Sequence, residues 1–98
     1  MILVIGSVVV QEGKLAEALS LSQAHVARSR REPGCLLHGV HQDTENPNHL
    51  VFVEKWADQE SLRKHFIVPD SRAFAKALST VAVEVPVLEA YDGTTVRV

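Results

Sequence analysis

An α+β fold, with helices covering one face of a four-stranded antiparallel sheet, is expected from three features of this 98-residue chain. Apolar, β-branched runs of strand length are interspersed with stretches whose apolar residues recur at helical spacing. The breaks between them are sharp: Glu12-Gly13, Glu32-Pro33-Gly34, the polar stretch Asp43–Asn48 and Asp92-Gly93. The resulting order, β-α-β-β-α-α-β, places two crossovers around a central hairpin.

Met1 to Val10 is almost wholly apolar and too short for most helices, so it is expected to be a strand buried on both faces. Lys14 to Arg31 carries Leu15, Ala18, Leu19, Ser22 and Val26 along one stripe, the pattern of an amphipathic helix. It ends at Glu32-Pro33-Gly34, because a residue before proline is biased out of the α region. Cys35 to Gln42 and Leu50 to Trp56 form a hairpin across the polar loop. Asp58 is a good N-cap for a short helix with Leu62, His65 and Phe66 on one face. Val68-Pro69 interrupts it, and Asp70 is expected to cap a second short helix bearing Ala73, Phe74, Ala77 and Leu78. Val81 to Tyr91 returns to strand, with Pro86 marking an edge or a bulge. Thr94 to Val98 is a short tail. Right-handed crossovers close this order into the ferredoxin-like βαββαβ arrangement.

Residues 1–98 make one domain, since a chain this short builds a single core. With 46% hydrophobic and 22% charged residues it is a globular rather than a disordered sequence. A net charge of −2 gives no electrostatic reason to expect nucleic acid or an acidic membrane as partner. Arg28, Arg30 and Arg31 are the one dense basic cluster, and they fall near a helix end, where cations complement the dipole. A single cysteine, Cys35, excludes an intramolecular disulfide framework and a cysteine-rich zinc site. No run of about 18 apolar residues and no signal-peptide pattern is present, so a cytoplasmic location is expected.

The strands make a further demand. One face of such a sheet meets water in a monomer, yet Ile2 to Val10, Val51 to Val53 and Val81, Val83, Val85 and Val87 supply apolar side chains to both faces. The simplest cover is a second copy of the sheet, giving a homodimer packed face to face with the helices outside, a dimeric α/β barrel.

Phe52, Glu54 and Trp56 alternate along one strand and share a face. If helices cover that face, a carboxylate and an indole enter the space beneath them, and a buried acid needs a partner or a solvated pocket. His65, on the helix that follows, can fold back over this strand. His38 is an imidazole on an otherwise apolar strand face, either a satisfied core residue or a functional one. His38 and His41, three apart on a strand, face opposite sides and cannot share a metal. His41 and His49 flank the hairpin loop and are expected to be solvated; His25, near the edge of the long helix's stripe, is expected to be structural. His38, Glu54 and His65 would make a two-histidine, one-carboxylate iron set, but no spacing motif supports it and no metal is expected. Phosphate-binding glycine loops, CxxC, HExxH and a nucleophile elbow are all missing.

Glu32-Pro33-Gly34-Cys35-Leu36, Gln42-Asp43, Phe52-Val-Glu54-Lys-Trp56-Ala-Asp58, Leu62 and His65 together resemble the antibiotic biosynthesis monooxygenase (ABM) family, whose pattern runs E-x-G-C, a strand ending in D, F-x-E-x-W-x-D, then L-x-x-H. The resemblance extends over essentially the whole chain and implies a dimeric α/β barrel with one cleft per subunit. It also implies a monooxygenase that oxidises an aromatic phenol or quinol with O₂ and no organic cofactor. Its catalytic residues would be His65 as proton acceptor, Trp56 stacking on the substrate and Glu54 holding the cleft's polarity. Ser7, His38, Phe52, Phe66 and Phe74 would line the cleft. His38 falls where many relatives carry an aromatic residue, which bears on substrate preference. A second branch resembles haem-degrading monooxygenases; Trp56 and His65 fit it, but Ser7 stands where that branch has an asparagine. Other relatives of this fold are isomerases or ligand-binding and stress-response modules, and fold alone does not choose among them.

Overall fold

A computed structural model describes residues 1–98. The elements in chain order are β1 (Ile2–Val9), α1 (Leu15–Ser29), β2 (Cys35–Gln42), β3 (His49–Trp56), α2 (Gln59–Ile67), α3 (Pro69–Val81) and β4 (Val87–Asp92). The strands form one antiparallel sheet in the order β2-β3-β1-β4, so the fold is the expected ferredoxin-like α+β arrangement. No helix is long and apolar enough to cross a membrane.

The helix expected over 14–31 spans Leu15–Ser29, and two other expectations change more. The strand expected over 81–91 begins at Val87, because Ser71, Leu78 and Val81 fall on the buried side of α3 and carry the helix through Val81. Ala82 then makes a lone bridge to Val10, and Pro86, with no N–H to offer a ladder, sits just outside β4. Val83 and Val85 therefore lie exposed in the connection rather than on the sheet. Asp70 is not a cap either: Val68 is the N-cap residue, Pro69 occupies the first turn with its φ already helical, and Asp70 places its charge at the helix's positive end.

Strand parity fixes which side chains meet the helices. Along β1, Ile2, Val4 and Val8 are buried while Leu3, Ile5 and Ser7 on the other face are half-buried. Along β3, Leu50, Phe52, Glu54 and Trp56 are buried and His49, Val51, Val53 and Lys55 face out. The core is split in two. One cluster gathers Val8, Val10, Ala18, Leu50, Phe52, Leu78, Val81 and Ala82; the other gathers Ile2, Val4, Trp56 and Leu62. Glu54 sits on β3 between Phe52 of the first cluster and Trp56 of the second, and the functional cluster is built around it.

The turn after α1 depends on Gly34, whose φ of +82° is strained for any other residue. A Cβ there would also collide with the Ser61 side chain at the start of α2. Gly34→Ala is therefore expected to lower stability by about 1–3 kcal/mol, read as a drop in the urea midpoint at unchanged m-value.

Candidate functional site

Four elements each contribute one polar side chain to a buried cluster. α1 buries Ala18, Ser22, His25, Val26 and Ser29 on one stripe, which directs the His25 imidazole under the helix layer. β2 supplies His38, which lies directly opposite Glu54 of β3 and on the same face. α2 starts at Asp58, whose carboxylate accepts from the Ser61 N–H at 2.8 Å, and this start sets its buried face, Leu62 and His65.

Glu54 is only 4% exposed. Its Oε1 accepts from Trp56 Nε1 at 2.9 Å, lies 3.3 Å from His38 Nε2 and 4.0 Å from His65 Nε2. Burial pushes its carboxyl up, but the neighbouring His38, Trp56 and His65 outweigh that and hold it below the usual carboxylate range. The His38 contact is close but not aligned as a hydrogen bond, so both His38 ring nitrogens are buried without a hydrogen-bond partner. His65 Nδ1 lies 2.8 Å from Glu32 Oε1. A carboxylate oxygen at this distance accepts the Nδ1–H, and in the neutral imidazole that tautomer makes Nε2 the acceptor.

His25 stacks on Phe74 with ring centroids 4.0 Å apart and planes 6° from parallel, and its Nδ1 accepts from the Arg28 guanidinium at 2.7 Å. Burial, then the nearby His38, His65 and Arg28, push its pKa down to about 3; Glu54 opposes this weakly. The unfolded chain therefore takes a proton at this site before the folded chain does. Stability is full above about pH 6.5 and falls by a few kcal/mol as pH drops toward 3. Thermal melts in EDTA should be level near neutrality and decline below about pH 6.5, with a shallower decline in His25→Asn.

Beside this cluster lies a cavity of about 310 Å³. Phe52, Phe66, Phe74, Leu78, Leu88 and the Val85–Val87 connection give it apolar walls, and His25, Glu54 and His65 provide its polar end. Ser71 and Arg72 of α3 also border it; the Ser71 hydroxyl is buried without a partner, whereas Arg72 is exposed.

Of the residues expected in a cleft, Glu54, His65, Phe52, Phe66 and Phe74 line the cavity. Trp56 and His38 do not: both lie one layer behind, Trp56 fully buried with its ring 4.6 Å from that of His65. Ser7 borders the cavity, but its hydroxyl belongs to the opposite sheet face. There it lies 2.6 Å from His49 Nε2, and His49 Nδ1 is 2.9 Å from Asp43 Oδ2, so His49 is paired rather than freely solvated. This arrangement does not suit the haem branch: Ser7, standing where that branch has an asparagine, turns its Oγ to His49 on the opposite sheet face, away from the cavity. His25, expected to be structural, lines the cavity instead; Glu32, expected only to stop a helix, holds His65, and Ser71 is an addition that the sequence did not single out.

Fold and site together define a small α+β protein with a mainly apolar cavity between sheet and helices. The chain belongs to the antibiotic biosynthesis monooxygenase family, whose sequence pattern matches residues 1–77. It is similar to an uncharacterized protein of Synechocystis, 33% identical over 75 residues that cover 76% of this chain and 51% of that one. The chain thus spans about half the length of the curated relative it matches. Among solved structures, a conserved protein of Methanosarcina mazei is 27% identical with a TM-score of 0.91, over 95% of this chain and 92% of that one. A candidate antibiotic biosynthesis monooxygenase of Deinococcus radiodurans, 23% identical, superposes with a TM-score of 0.94 over 100% of this chain and 98% of that one.

Proposed function

We propose that this chain is a monooxygenase that oxidises a small, electron-rich phenol or quinol with O₂ and no organic cofactor. The observation that carries the reading is the mainly apolar cavity ending at His65, whose Nδ1 is held by Glu32 so that Nε2 is the proton acceptor. An aromatic ring fits walls made of Phe52, Phe66 and Phe74. Proton transfer from a phenolic hydroxyl to His65 Nε2 yields a phenolate, which gives up an electron to O₂ far more readily than the phenol. One oxygen atom enters the ring and the other leaves as water, so a phenol and O₂ become a quinone and water with all electrons drawn from the substrate. Apolar walls keep water from the intermediates. Glu54 steadies the polar end, and Trp56 supports Glu54 from behind.

Oxygen uptake with a panel of phenols and quinols tests this, with ¹⁸O₂ supplied and the product analysed by mass. One labelled atom per quinone is the expected result; uptake that yields only hydrogen peroxide, or no uptake across the panel, overturns it.

We also infer that the working form is a homodimer, formed by sheet-to-sheet packing. The face away from the helices presents Leu3, Ile5, Val51 and Val53, and Ile5 and Val53 are direct cross-strand neighbours. Ile5→Asp should leave a folded monomer where the unaltered chain sediments as a dimer; an unaltered chain that sediments as a stable monomer sinks the inference. The lone thiol Cys35 is free and suits a cytoplasmic setting.

A further inference from the structure

Three imidazoles from three different elements meet in the interior. The ring centroids of His25, His38 and His65 are 5.2, 5.3 and 5.5 Å apart, and one nitrogen from each lies within 4.8 Å of the others. All three side chains are buried. The oxygenase reading uses His65 but leaves His38 unexplained. That residue does not line the cavity, its side chain is wholly enclosed, and neither ring nitrogen has a hydrogen-bond partner. An unpaired buried polar group is destabilising, so an imidazole left in this condition calls for a ligand.

We propose that His25, His38 and His65, with Glu54 as fourth ligand, bind one divalent transition-metal ion of the Zn²⁺ type at the closed end of the cavity. Imidazole nitrogens and a carboxylate are the donor set such ions take. Metal–nitrogen bonds of ~2.0–2.1 Å in a tetrahedron put the nitrogens ~3.4 Å apart, so each ring moves inward by under ~1 Å from its metal-free position. Glu54 Oε1 already stands 3.3 Å from His38 Nε2 and 4.0 Å from His65 Nε2.

The surrounding groups are those that orient metal ligands. Glu32 accepts the Nδ1–H of His65 and so directs Nε2 inward, and the Trp56 N–H holds the Glu54 carboxylate. A dication also balances two largely buried carboxylates, Glu32 and Glu54. Arg28 opposes binding. Its contact with His25 Nδ1 keeps the His25 proton on Nε2, so coordination through Nε2 requires that proton to move to Nδ1 and the guanidinium to turn away. Asp70, 3.9 Å from Arg28 Nε, is placed to receive it. The proposal stands apart from the oxygenase reading, because His65 Nε2 cannot hold a metal ion and accept a phenolic proton at once. Metal-loaded and metal-free chains are then different states of one site.

Binding is the readout, with no assay of activity. The purified chain, stripped with EDTA, is titrated with Zn²⁺ by calorimetry, and Co²⁺ serves as a visible-absorption probe of the ligand field. One equivalent of Zn²⁺ per chain is expected, with displacement of Co²⁺ and a raised thermal midpoint. His38→Ala should weaken binding at least about 10-fold to 100-fold, as loss of a metal-site partner does. The exposed neighbour His41→Ala should leave it unchanged. Arg28→Gln, which removes the cation held on His25 Nδ1 while keeping all four ligands, should tighten binding, and it decides the matter if His38→Ala fails to fold. Absence of saturable binding to the unaltered chain overturns the proposal. So does binding that survives in a folded His38→Ala variant, or that Arg28→Gln leaves unchanged or weakens.

Discussion

Replacing His65 with glutamine is expected to lower the turnover of a phenol by about 10²–10⁴-fold, the range that a positioned acid–base group supplies. His65 is the one side chain at the polar end of the cavity that combines an inward-facing acceptor with a partner fixing its tautomer. His25 lines the same end, but burial and its cationic neighbour make it a poor base, and Glu54 is held in its weakly basic ionised form. The loss in His65→Gln should shrink as the pH rises past the substrate's own pKa, because a phenol that arrives ionised needs no base. Steady-state oxygen uptake measured across pH with one phenol checks both points. Equal loss at every pH would assign His65 to binding or architecture instead. Glu32→Gln should fall between the unaltered chain and His65→Gln, since it leaves the imidazole in place but releases its Nδ1 anchor.

The fold and half of the site were legible because they rest on local periodicity. Phe52, Glu54 and Trp56 share a face by strand parity, and parity alone carries a carboxylate into the interior. Parity is hidden in β1, where nearly every residue is apolar and neither face is marked, so no local pattern checks the cleft position that the resemblance implies for Ser7, which in fact shares its face with Leu3 and Ile5. His25 looked structural because a helix stripe says which side is buried but not what waits there. Its neighbours, His38, His65 and Phe74, come from β2, α2 and α3. Glu32 reads as the residue that stops a helix before proline, although α1 already closes at Ser29 and Glu32 lies in the turn beyond it. Its second task, a contact with His65 across 33 positions, leaves no trace in local pattern. The valines after Val81 carried a strand-like alternation, yet α3 had buried positions still to fill and Pro86 could not join a ladder, so tertiary packing decided that boundary.

Trp56 carries the largest stability effect expected of a single side chain here. Its ring is fully buried among Ile2, Val4 and Leu62, and its N–H is the aligned hydrogen bond of the Glu54 carboxylate. Trp56→Ala should cost about 3–5 kcal/mol. For a domain of this length that lowers the melting temperature by at least about 12 °C and removes a large share of the roughly 5–15 kcal/mol that holds a small protein together. Trp56→Phe separates two contributions. It keeps an aromatic ring in the cluster but leaves Glu54 Oε1 beside a His38 nitrogen that is not aligned to donate, and a hydrogen bond to a buried charge is worth about 1.5–3 kcal/mol. If the N–H is the main contribution, Trp56→Phe should cost clearly less in a Glu54→Gln background than in the unaltered chain, as a double-mutant cycle by urea denaturation would show. Equal costs in the two backgrounds would mean that Trp56 is held by packing alone. Glu54 would then keep its charge through the imidazoles of His38 and His65, which would make those two residues, rather than the indole, the support of the buried carboxylate.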